Sequence, residues 1–122
     1  MEKGADDRAS VAEFRDVARQ LTDVLGGPNV AFIGGVRRTA TVSEWIAGAD
    51  PKNDEREQRL RLALRLVLIL EAGFAPKTIR AWFLGANRGL ELEAPIAVLA
   101  TRPPAGAAKA LIAAAEAALL IL

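Results

Sequence analysis

Asp54–Ala72 reads DEREQRLRLALRLVLILEA, and this stretch decides the fold. It begins with acids and arginines. It ends with Leu62, Leu64, Leu66, Val67, Leu68, Ile69 and Leu70, apolar nearly all round a helix. Asp54 and Glu57 form a capping-box-like start, and Gly73 ends the run. At ~1.5 Å per residue the helix is about 28 Å long. A helix apolar on every side must be surrounded. The stretch therefore predicts either the central post of a helical fold or half of a dimer interface.

The flanking segments also read as helices. Upstream, Phe14, Val17, Ala18, Leu21, Val24 and Leu25 recur at helical spacing over Val11–Leu25, with Ser10 as the expected cap. Gly26, Gly27 and Pro28 stop that helix. Two short helices follow, Pro28–Ile33 and Ala40–Ala47, the second with Val42, Trp45 and Ile46 inward. Downstream, Pro76–Leu84 is expected to turn Ile79, Trp82 and Phe83 inward. Gly85–Ala94 reads as irregular, Pro95–Leu99 as about one turn, and the chain from Ala105 as an alanine-rich helix. No run alternates apolar and polar residues, and β-branched residues are scarce, so the fold class is all-α. The expected organisation is a flexible tail over 1–9, a helix-turn-helix domain over 10–72, and a smaller helical domain over 73–122.

Composition removes whole classes of chemistry. The chain has 122 residues, 52% hydrophobic and 25% charged, with a net charge of +1. That is one globular core with no bulk charge to draw it to nucleic acid or membrane. It has no Cys, His or Tyr, and its only serines are Ser10 and Ser43. Disulfides, thiol nucleophiles, zinc sites and imidazole acid–base chemistry are excluded. No catalytic residue, metal ligand or cofactor is nominated. The first residues are polar and acidic, unlike a signal peptide. The longest apolar run, Leu62–Leu70, contains Arg65 and is far shorter than the ~20 residues of a membrane span. The expectation is a cytoplasmic protein, and the excess of Ala, Arg, Gly and Leu suggests a bacterial one.

Two constellations point to partners. Residues 28–47 have the layout of a helix-turn-helix: short helix, glycine turn, short helix. Arg37 and Arg38 in the turn, with Thr39, Thr41 and Ser43 on the second helix, are the candidate DNA contacts. Two short helices and a glycine turn are also ordinary bundle architecture, and Glu44 would repel phosphate. The second constellation is Trp82-x-x-Gly85-x-Asn87-x-x-Leu90 followed by Pro95-Ile96-x-x-Leu99. Trp82 is expected to pack on the core, Gly85 to end its helix in the left-handed conformation, Asn87 to bond its own turn, and Leu90 to fold back as an anchor. Each role is architectural as well as a possible partner contact.

The order and spacing of four stretches resemble the Xre/MbcA/ParS-type antitoxins, partners of RES-domain toxins. These are the helix-turn-helix ending at Glu44–Gly48, the charged start Glu57–Ala63, the Trp82–Leu90 motif, and the Pro95–Leu99 turn. The resemblance covers roughly residues 20–115. It implies a DNA-binding-like first half and a toxin-binding second half. It also implies a toxin that degrades NAD, neutralisation by steric occlusion of the active site, dimerisation, and repression of the protein's own operon. The chain departs from the family pattern at Arg88, where a proline is usual, and at Glu91–Ala94, in place of a glycine-rich basic run. It departs again at Ser43 and Glu44, where basic residues are common.

The last helix ends on Leu119, Leu120, Ile121 and Leu122, which point around a full turn. Exposed, they would form an association-prone patch. They could enter the toxin's active-site mouth, pack in a homodimer, or fold under the 54–72 helix. With the resemblance, Trp82, Asn87, Arg88, Leu90 and these four residues are the candidate toxin contacts. The rival reading is a stand-alone helix-turn-helix regulator whose second half dimerises it. An enzyme is set aside for want of nucleophiles and ligands.

Overall fold

Helix α5, Asp54–Leu70, sits at the centre of the molecule. The structure, a computed structural model, describes residues 4–121. Around α5 stand α1 (Ala5–Val11), α2 (Phe14–Leu25), α3 (Gly27–Gly34), α4 (Thr39–Ile46), α6 (Pro76–Leu84), α7 (Pro95–Thr101) and α8 (Pro104–Leu120). A 3₁₀ turn, Arg88–Leu90, lies between α6 and α7. Among the described residues there are eight α-helices and no strand. No helix there is long and apolar enough to cross a membrane.

α5 begins where its side chains can satisfy the free amides of its first turn. Asn53 is the cap, its Oδ1 accepting from the Arg56 N–H at 2.8 Å. This places the cap one residue before the expected Asp54, which instead joins Glu55 and Glu57 as first-turn acids facing the helix dipole. Leu60, Leu62, Leu64, Leu66, Val67, Leu68 and Leu70 are all buried, around most of the helix, with Arg61 and Arg65 partly buried on the remaining arc. α1, α2, α3, α7 and α8 all pack on it. The core runs without a break through both halves of the chain, since α8 seats on α5 and α6 seats on α2.

The expected loose tail over residues 1–9 is corrected from residue 5 onward, because α1 is a helix with Ala9 buried. Ser10 lies inside α1, its Oγ donating to the Asp7 carbonyl at 3.5 Å, and so caps nothing. α2 starts instead at Phe14, behind Glu13, which makes no side-chain cap bond. Trp45 is buried as expected, edge-on to Phe14 with ring centroids 5.6 Å apart. α3 passes so close that a Cβ on Gly34 would lie 2.8 Å from the Trp45 ring. Only glycine lets the two helices approach this far.

Three arginines tie helix ends to the core. The last carbonyls of a helix have no partner within it and carry the negative end of its dipole. Arg56 donates from Nε to the Gly34 carbonyl of α3 at 2.6 Å and from Nη1 to that of Pro51 at 2.9 Å. Arg61 donates from Nη1 to the carbonyls of Ala9 at 3.0 Å and Ala12 at 2.7 Å, at the end of α1. Its Nε is held by Glu57 at 2.8 Å. Arg80 donates from Nε to the Val24 carbonyl of α2 at 3.0 Å. A hydrogen bond to a charged group contributes about 1.5–3 kcal/mol. α1 is seated on α5 by Ala5 and Ala9 and by the Asp6–Arg65 ion pair at 3.4 Å, and Arg61 holds its carbonyl end. Arg61→Ala should raise amide exchange across residues 5–11 by about tenfold or more while exchange in the α5 core stays unchanged. Equal protection of α1 in the variant would show that Arg61 does not hold it.

Candidate functional site

α6 turns two side chains into the core, and Trp82 is not one of them. Ile79 and Phe83 are fully buried, four residues apart on one face. Trp82 lies about 100° further round the helix. It is half-buried, its ring edge-on to Phe83 with centroids 5.1 Å apart. Trp82 therefore packs against the core, as expected, without being enclosed by it, and its outer face forms a wall of the surface.

The chain after α6 is organised by Asn87. Gly85, expected in the left-handed conformation, is extended at φ −93° and ψ 153°. Asn87 Oδ1 accepts from the Gly89 N–H at 2.9 Å, as the motif predicted. Its carbonyl accepts from the Leu90 N–H at 3.0 Å and the Leu92 N–H at 2.8 Å, and its own N–H donates to the Glu93 carbonyl at 3.2 Å. Leu90 is the anchor beneath this loop. At 3% exposed it is core and is corrected as a surface contact. Gly89 passes beside α8, where an added Cβ would stand 3.6 Å from the Ala114 Cβ.

An open groove results, with Trp82, Asn87 and Arg88 on one side and Ala114 and Ala118 of α8, with Ile121 just past its end, on the other. The alanines leave the space, and the surface is largely apolar. Four of the candidate toxin contacts therefore meet in one place: Trp82, Asn87, Arg88 and Ile121. Leu120 and Ile121 are both 85% exposed. Leu119 is half-buried. Leu122 lies outside the described residues.

The candidate DNA contacts occupy a different region. Arg37 and Arg38 are exposed in the turn between α3 and α4 and, among the described residues, enter no ion pair or side-chain hydrogen bond. Thr39 and Ser43 are exposed on α4, Ser43 Oγ donating to the Thr39 carbonyl at 3.5 Å, and Thr41 is half-buried. Glu44 is exposed on the same helix. Among the described residues no group of three Asp or Glu side chains could hold a metal ion. Sequence reading missed the exposed apolar side chains Phe32, Leu84 and Leu92. Periodicity gives no signal for a residue in a loop or on the outer face of a helix as short as α3.

Phe83→Ala should cost about 3–5 kcal/mol in urea unfolding, as a core truncation. Trp82→Ala should cost less than half as much. A larger loss at Trp82 would put its ring in the core after all.

Comparison with protein-family models, with curated proteins and with solved structures found no match for this chain.

Proposed function

We propose that this chain is a neutralising antitoxin, binding a RES-domain, NAD-degrading toxin through its second half and closing the toxin's active site by occupation. The observation that carries this reading is the meeting of Trp82, Asn87, Arg88 and Ile121 on one open, largely apolar groove, next to an exposed Leu120. Two large aliphatic side chains left in water at the end of one helix favour a second polypeptide, each contributing roughly 1.5–3 kcal/mol when covered. Occlusion needs a shaped apolar surface and no reacting group, which matches a chain without Cys or His. The resemblance of the Trp82–Leu99 motifs to the Xre/MbcA/ParS-type antitoxins supplies the kind of partner.

Substituting Leu120→Asp together with Ile121→Asp tests it. Both side chains are exposed, so melting temperature and helical circular dichroism should not change. Binding to a RES-domain protein should fall by about a hundredfold or more, and rescue of toxin-expressing cells should be lost. Full rescue by this variant would defeat occlusion through the end of α8. A dimer in the wild type that the variant dissolves, with rescue intact, would assign these residues to self-association.

We further propose that α3, its turn and α4 act as a helix-turn-helix toward operator DNA. Exposed Arg37 and Arg38, free of ion pairs among the described residues, favour it, and this is also the feature that favours the stand-alone regulator. Arg37→Ala with Arg38→Ala should weaken promoter binding in gel shifts and lower the salt slope by about 2. An unchanged slope would remove the turn from the DNA contact.

A further inference from the structure

The loop over residues 87–93 holds an exposed leucine where the backbone favours glycine. Glu91 and Leu92 are both left-handed, at φ +55° and +70°. That region disfavours any residue with a Cβ. The loop is held there by its own hydrogen bonds. The Leu92 N–H donates to the Asn87 carbonyl at 2.8 Å, and the Glu93 N–H to the Leu90 carbonyl at 3.1 Å. Buried Leu90 fixes the loop from below. None of these contacts involves the Leu92 side chain, which is 65% exposed and lies outside the core cluster. A glycine at 92 would fit the same backbone better. Strain held at a residue whose side chain is mostly exposed and outside the core directs attention to what lies outside the fold.

The charges beside Leu92 narrow what that could be. Glu91 and Arg88 are exposed, and among the described residues neither enters an ion pair or a side-chain hydrogen bond. Glu93, by contrast, is paired with Arg102. Arg88 also lines the groove with Trp82 and Ile121, so the loop and the groove form one continuous surface.

We infer that Leu92 is a binding anchor: it enters an apolar pocket of the partner protein, with Glu91 facing a cation and Arg88 facing an anion at the pocket's rim. The inference rests on the antitoxin reading, and the occupant is the RES-domain protein. Binding of the full chain to a RES-domain protein, measured by calorimetry together with melting temperatures, tests it on wild type, Leu92→Gly and Glu91→Lys. Leu92→Gly should melt no lower than wild type, yet bind about tenfold or more weakly. Glu91→Lys should also weaken binding. Wild-type affinity in Leu92→Gly overturns the anchor alone, leaving the antitoxin reading intact. A melting temperature several degrees lower overturns it too, because Leu92 would then serve the fold. A wild-type dimer that Leu92→Gly disrupts, with toxin binding unchanged, overturns the choice of occupant in favour of a second copy. No binding by the wild type removes the antitoxin reading and the anchor with it.

Discussion

A helix whose second half is apolar nearly all round cannot rest against one neighbour. Leu60, Leu64, Leu66, Val67 and Leu70 of α5 need cover from several directions, and the other helices are arranged to give it. The same helix is charged in its first half, where Arg56 and Arg61 turn outward to the carbonyl ends of α3 and α1. α5 therefore organises the fold in two ways: burial along one half, and hydrogen bonding to helix ends along the other. Arg80 repeats the second device from α6 onto α2.

The parts legible in the sequence are those governed by local rules. The starts of α5, α6 and α7 follow from a charged first turn, prolines and apolar spacing, and the Asn87 turn follows from the chemistry of one side chain. Long-range contacts were not legible. Residues 5–11 hold only Ala5, Ala9 and Val11 as apolar side chains, too few to announce a buried face, and the polar contacts that hold α1 come from Arg61 and Arg65, more than fifty residues away. The phase of α6 was ambiguous because Trp82 and Phe83 are adjacent aromatics on a helix of nine residues. One turns in, the other lies along the surface, and spacing alone does not choose.

Glycine usually takes the left-handed positions of a loop, and here the chain departs from that pattern. Gly85 is extended, while Glu91 and Leu92 take the left-handed positions. The closed hydrogen-bond pattern around Asn87 imposes those angles whatever the side chains are. Of the candidate site, the motif residues were visible from the start. Their meeting with Ile121 was not, since it depends on how α8 crosses the loop.

The α8 side of the groove consists largely of alanine, and this has a thermodynamic consequence. Alanine has no side-chain rotamers to freeze, whereas a long side chain gives up ~1–2 kcal/mol of conformational entropy when it is fixed. Ala114 and Ala118 hold one shape whether the surface is wet or covered. A polypeptide settling there would meet a wall that is already ordered, and the entropy of docking would fall mainly on Trp82, Arg88 and the aliphatic residues at the helix end.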